Sequence, residues 1–238
     1  MLLTLEVPVH HFKDVEGYIT GHFVVASYLY DPRYRDYYEK RKDDLMLILD
    51  NGSYEGSLVK GYELVILAKK LRADYVFAPD YFNERTNTFT EFLSFRSLAF
   101  SCGLRSTIGY VPVGSPEEQI EQVIRLVTNY DVRFIGISSR YNNRLLVRKY
   151  ENELIELRKR YNVKYHMLGL CRWDEPLGWK QLEPFSMDTV KPIKAAYYGL
   201  RLEDCPRGLG KWNVDMYVKD KRLLKRNLGV LKGVVDGL

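Results

Sequence analysis

Eight short, mostly apolar runs recur along the chain: LLTLEVPV (2–9), HFVVASYLY (22–30), LMLILD (45–50), DYVFAPD (74–80), STIGYVPVG (106–114), VRFIGISS (132–139), KYHMLGL (164–170) and PFSMDT (184–189). Consecutive rather than alternate positions are apolar in most of them. That is the pattern of strands buried on both faces of a parallel sheet. Between them the period changes. In SLVKGYELVILAKKL (57–71), Leu58, Tyr62, Val65, Leu67 and Leu71 roughly follow helical spacing, and Thr88 to Ser101 is similar. SPEEQIEQVIRLVTNY (115–130) opens with a serine N-cap, a proline at the first helical position and two acids in the first turn. YENELIELRKRY (150–161) predicts a further helix, and DTVKPIKAAYYGL (188–200) another that stops at Gly199.

Strand–helix alternation repeated about eight times in 238 residues predicts an α/β fold, a closed (β/α)8 TIM barrel rather than an open sheet. The first two units lack a well-formed helical pattern, so the barrel is expected to be irregular at its start. After Gly199 the pattern breaks into the loop-like RLEDCPRGLGKWNV, followed by a basic amphipathic stretch to the end. The expected organisation is a barrel domain over 1–200 and a C-terminal helical extension, 201–238, packed on it.

Composition narrows the class. Hydrophobic residues make up 46% and charged residues 28%, enough for a large core and unlike a disordered chain. The formal net charge of +5 is compatible with a nucleic-acid partner without identifying one. Cys102, Cys171 and Cys205 stand far apart with no metal-ligand spacing, which argues against a disulfide framework and a zinc site. No window approaches a membrane span, and the start of the chain, with Glu6 and the histidines, is too polar for a signal peptide. An intracellular (cytoplasmic) protein with no membrane partner is expected. The 19 tyrosines with plentiful Lys, Arg and Glu suggest a thermophilic source.

In a parallel barrel, chemistry gathers at the carboxyl ends of the strands. There the chain places Asp50, Asp80, the Pro112–Gly114 turn, Ser138 to Arg140, Leu168-Gly169 and Asp188. Three aspartates directly after apolar runs can serve as nucleophile, acid–base group or acceptor. Each has a plainer reading: Asp50 opens an Asp-Asn-Gly turn, Asp80 can cap a helix, and Asp188 precedes one. Their convergence on one mouth favours a site. His10 and His11, read as the end of the first strand, point to opposite faces there, so no metal and no cofactor is expected. His166, inside a strand, reads as a satisfied core residue. Ser138 and Ser139 have no histidine partner at a suitable strand end, and no dinucleotide or P-loop fingerprint occurs.

The ordered strand ends resemble the tRNA-guanine transglycosylase superfamily, in particular its shortened phage and archaeal-virus relatives linked to 7-deazaguanine modification of DNA. Asp50-Asn51-Gly52-Ser53-Tyr54 stands where that family has Asp-Ser-Gly-Gly-Tyr/Phe. Asp80 matches its base-reading aspartate, and Gly109-Tyr110-Val111-Pro112 partly matches its Gly-x-Val-Gln-Gly element. Met167-Leu168-Gly169 matches Leu-Met-Gly, and Asp188 its nucleophilic aspartate. The match runs from about residue 45 to residue 195. The family's glutamine after the fifth strand is replaced by Pro112 or Val113, its sixth-strand Gly-Gly by GISSR, and its Cys-rich zinc subdomain is missing.

The resemblance implies a pentosyltransferase that exchanges guanine for a 7-deazaguanine base in DNA or tRNA. Asp188 would be the nucleophile and Asp50 the acid–base group. Asp80 would read guanine, Tyr54 and Leu168 would sandwich the ring beside Gly169, and Ser138 would replace lost contacts. The partners implied are nucleic acid and a free guanine or 7-deazaguanine base, and such relatives often form homodimers. Two basic segments, RYNNRLLVRKY and KDKRLLKR, carry Arg140, Arg144, Arg148, Lys149, Lys221, Arg222, Lys225 and Arg226 as a backbone-tracking surface, or as ordinary solvated helix faces. Two other readings stay open: a hydrolytic glycosidase with the same carboxylates, and a catalytically silent barrel that binds nucleic acid or a base.

Overall fold

The computed structural model describes residues 1–41, 45–81, 84–139, 143–207, 209 and 212–238. Eight parallel strands follow the eight apolar runs: β1 (Leu2–Leu5), β2 (Gly21–Val25), β3 (Met46–Asp50), β4 (Tyr75–Phe77), β5 (Thr107–Gly109), β6 (Phe134–Ser138), β7 (Lys164–Leu168) and β8 (Ser186–Thr189). They pair in the order β5-β4-β3-β2-β1-β8-β7-β6. The ring closes where Tyr110, just past β5, bridges to Ile135 of β6. The Tyr110 amide donates to Phe134 O at 3.1 Å, and the Gly136 amide donates to Tyr110 O at 2.8 Å. The fold is an α/β (β/α)8 barrel.

The helices of the early units are short, α1 (Phe12–Val15) and α2 (Pro32–Lys40), as the weak helical pattern there predicts. Longer ones follow: α3 (Gly61–Leu71), α4 (Arg85–Ser101), α5 (Pro116–Tyr130) and α6 (Asn143–Tyr161). Helix α5 starts on the predicted cap: Ser115 Oγ accepts from the Glu118 amide, and the Glu118 carboxylate accepts from the Ser115 amide. Helix α6 begins seven residues before the sequence pattern suggests and bends at Tyr150 (φ −127°, ψ 27°). Most of the 141–150 segment, whose role the sequence leaves open, is therefore helical. After β8 come α7 (Lys191–Tyr197) and α8 (Lys221–Asp236). Leu224, Leu228, Leu231 and Val235 of α8 are buried, and Asn227 Oδ1 accepts from the Leu202 amide while its Nδ2 donates to Leu200 O.

The barrel interior is aromatic. Phe77 lies 4.9 Å from Phe134, and Phe23 stacks on His166 at 5.3 Å with the planes 3° apart. Two strand glycines make room for these rings. A Cβ on Gly109 would meet Phe134 at 2.6 Å, and one on Gly136 would meet Leu168 at 2.7 Å and Phe77 at 2.8 Å. Side chains two apart on a strand share a face, so the residues next above this packed layer point into the mouth.

His10 and His11 correct one expectation. β1 ends at Leu5, and the histidines lie beyond it in a single 3-10 turn, Val9–His11. The His11 ring is fully committed: Nε2 accepts from the Val218 amide at 2.9 Å, and Nδ1 faces Asp14 Oδ2 at 2.8 Å. Among the described residues no group of three His, Cys, Asp or Glu is placed to hold a metal ion, and no helix is long and apolar enough to cross a membrane.

Candidate active site

The two-residue strand period delivers the site. Ser186 and Asp188 share one face of β8, His166 and Leu168 one face of β7, and Phe23 and Val25 one face of β2. Above them at the carboxyl ends lies a cavity of about 320 Å³. Asp50, Tyr54, Asp80, Ser138, Leu168, Gly169 and Asp188 all line it. Seven positions from five strand ends therefore meet in one space.

Asp188 is buried, 1% exposed. Its Oδ1 accepts from the Gly169 amide at 3.0 Å and lies 3.0 Å from His166 Nε2. The other ring nitrogen of His166, Nδ1, is 2.7 Å from Ser186 Oγ. With Nε2 protonated and donating to Asp188, Nδ1 accepts from Ser186, and both ring nitrogens of His166 are paired. His166 is the satisfied core residue that its place in the strand suggests, and it also orients Asp188. Gly169 sits at φ +68°, and a Cβ there would stand 3.2 Å from Ser139 Oγ. Only glycine brings its amide to Asp188 at that turn without strain.

Asp50 ends β3 and opens the turn that its sequence context predicts. The Gly52 amide donates to Asp50 Oδ2 at 2.9 Å, and Gly52 has φ +80° with no room for a Cβ beside Ser27 Oγ and Ser57 O, each 2.9 Å away. Burial, then the charges of Glu55 and Asp80 and more weakly Asp188, hold the Asp50 carboxyl well above the usual carboxylate range; the Gly52 amide opposes them. Asn51, fully buried, turns away from Asp50: its Nδ2 donates to Asp80 Oδ1 at 2.9 Å and to Ala78 O at 3.0 Å. Asp80 caps no helix, since α4 begins after Glu84.

Sequence reasoning passes over Glu6. With β1 read as running to Val9, its carboxyl end falls at the histidines; with β1 ending at Leu5, that end is Glu6. Glu6 lines the cavity, accepts from Trp212 Nε1 and has Asp188 as a charged neighbour. Burial, followed by the charges of Asp188 and Glu55, raises its carboxyl well above the usual range. Two neighbouring buried carboxyls cannot both ionise cheaply, so the protonated form of Glu6 is favoured. Glu55 is a fifth carboxyl on the wall, and Lys191, Lys194 and Arg207 bring positive charge to it.

The basic residues singled out in the sequence lie elsewhere. Arg140 is outside the described residues, as is the side chain of Arg144. Of the rest, none lines the cavity. Lys149 pairs with Glu117, Lys221 with Asp14, and Arg226 with Glu203 in a two-pronged contact at 2.6 and 2.8 Å. Arg148, Arg222 and Lys225 are exposed. Arg148 borders a second, smaller cavity of about 230 Å³ beside Arg172 and Asp174.

The chain matches no protein-family model and no curated protein.

Proposed function

We propose that the barrel is a base-exchanging transglycosylase acting on guanine in nucleic acid through a covalent aspartyl–sugar intermediate, with a 7-deazaguanine as incoming base. The observation that carries this reading is the immobilised carboxylate of Asp188. It is held by His166 and Gly169 at the floor of a cavity whose wall holds a second, proton-bearing carboxyl, Asp50. The ordered likeness of the strand ends to the guanine transglycosylases supports it.

The chemistry balances with these groups alone. An Asp188 oxygen attacks the anomeric carbon as the glycosidic bond breaks, and the bonding pair leaves on the base nitrogen. Asp50 gives that nitrogen its proton. The incoming base then loses a proton to Asp50 and attacks the same carbon, returning the pair to Asp188. A raised Asp50 suits both halves, because a group that must give and take a proton works best near the operating pH. Asp80, its carboxylate plane set by Asn51, accepts the N–H donors on the Watson–Crick edge of guanine. Tyr54 at the rim and Leu168 bound the ring by stacking and apolar contact. The target nucleotide must leave its stack to enter.

The test is incorporation of labelled guanine, and of 7-cyano-7-deazaguanine, into duplex DNA, single-stranded DNA and tRNA in parallel. Incorporation that disappears with Asp188→Asn supports the reading and identifies the nucleic acid. Release of guanine without incorporation makes the protein a hydrolase using the same carboxylates. Neither incorporation nor release with any substrate overturns the enzyme reading.

A further inference from the structure

Three cations reach a cavity that five carboxyls also line. Lys191 and Lys194 stand three residues apart in α7 and so share a helical face. Arg207 joins them from the segment that follows. Lys191 is 6% exposed, a rare situation for a lysine. Its ammonium donates to Cys171 O, and that of Lys194 donates to Leu209 O at 2.7 Å. Both partners are neutral carbonyls. Among the described residues no carboxylate lies within 4.0 Å of Lys191, Lys194 or Arg207, although Lys149, Lys221, Arg226 and Arg33 all have one.

Burial lowers the affinity of both lysines for their protons; Glu6 opposes this at Lys194 and Glu175 at Lys191, while Lys191 adds to it at Lys194 and Arg207 at Lys191. The fold therefore keeps like charges together, with Lys191 buried and with neutral carbonyls, not carboxylates, as hydrogen-bond partners of the two ammonium groups. Removing charge from water without an opposite charge is costly. An arrangement of this kind is relieved by a bound anion. Its position defines the anion further. Lys191 follows Asp188 by three residues, so their Cα atoms are within roughly 10 Å of each other along the chain. A group on the sugar whose anomeric carbon meets Asp188 lies within reach of both lysines.

We propose that Lys191, Lys194 and Arg207 form a phosphate subsite that takes the phosphate attached to the sugar of the reacting nucleotide. The proposal rests on the base-exchange reading for the position of the sugar and adds to it the group by which the substrate is held. The phosphate belongs either to a free nucleotide or to the phosphodiester of a nucleic-acid strand, and both present the same charged oxygens. Lysine serves such a group as a point charge and arginine as a two-pronged donor.

The experiment is calorimetric titration of the full chain at low salt with inorganic phosphate, guanosine, guanosine 5′-monophosphate, cytidine 5′-monophosphate and a T-G-T trinucleotide without terminal phosphates. Binding of the monophosphate or the trinucleotide at least about tenfold tighter than guanosine is expected. That advantage should disappear in Lys194→Gln, which keeps a donor for Leu209 O, and in Arg207→Gln at an exposed position. A gain confined to the monophosphate marks a free nucleotide, and one confined to the trinucleotide marks a strand. Equal binding of guanosine and the phosphorylated ligands, or an advantage that survives both substitutions, overturns the phosphate subsite and leaves the base pocket standing. Equal affinity for the guanine and cytosine monophosphates, with inorganic phosphate competing, keeps the subsite and overturns the guanine reading. Absence of binding by every ligand overturns both.

Discussion

Asn51 Nδ2 donates to Asp80 Oδ1 at 2.9 Å, so the turn after one strand sets the carboxylate at the end of the next. Asn51 is fully buried, and the same amide also holds Ala78 O. Asn51→Ala is expected to cost about 1–3 kcal/mol, the penalty for buried acceptors left without donors. Asn51→Asp should cost more, because it sets a carboxylate against a carboxylate and a carbonyl. Urea titration of both variants checks the order; equal stability of the two would contradict the assigned contact.

Asp188→Asn keeps an oxygen for the Gly169 amide and removes the proposed nucleophile. Base exchange should fall on the order of 10³-fold or more, as when other covalent nucleophiles are deleted. The circular dichroism melt should show no loss of stability, since the charge facing Glu6 is gone too. A variant that unfolds early would instead mark Asp188 as structural.

Glu6→Gln retains an acceptor for Trp212 Nε1 and cannot ionise. In the wild type the folded state raises this carboxyl above its unfolded value, so folding favours the protonated form. That contribution is fully present below the unfolded carboxylate range and is lost as pH rises through the folded value. The wild type should therefore lose stability relative to the variant on going from acidic to mildly alkaline pH, and the two should converge near pH 4 and below. Paired thermal melts across that range provide the check; parallel curves would place Glu6 beyond the influence of Asp188.

Gly136→Ala puts a methyl 2.7 Å from Leu168 and 2.8 Å from Phe77. Overpacking of this kind costs about 1–3 kcal/mol, which is a fall of roughly 2–4 °C per kcal/mol in a chain of this size. Because Leu168 borders the cavity, base affinity should fall together with Tm. A melt equal to wild type would show that the barrel interior yields there.

The strands were legible because parallel strands buried on both faces leave unbroken apolar runs, and Asp50, Asp80 and Asp188 were legible because each directly ends one. Glu6 was not, for the opposite reason: β1 stops at Leu5, but the apolar character continues through Val7 and Val9 and hides the boundary. The role of His166 depends on partners on β8, 20 and 22 residues away, which no local pattern reveals. Lys191 and Lys194 have the spacing of an ordinary helix surface, and only the closure of the barrel turns that face inward. Lys221 and Arg226 read as basic surface from sequence; Asp14 and Glu203, which meet them, lie too far along the chain for that reading to include them.

Glu6 meets Trp212 across 206 positions, and β1 completes the ring by pairing Thr4 with Asp188. The order of synthesis follows from this. While the chain is leaving the ribosome, all 185 residues that precede β8 can be present and the first strand still has only one neighbour, with Glu6 open to water. The cavity acquires both Glu6 and Asp188 only when the last strand arrives, and its Trp212 wall only when the segment after it follows. A translation product cut short before β8 thus lacks Asp188 and has no complete cavity.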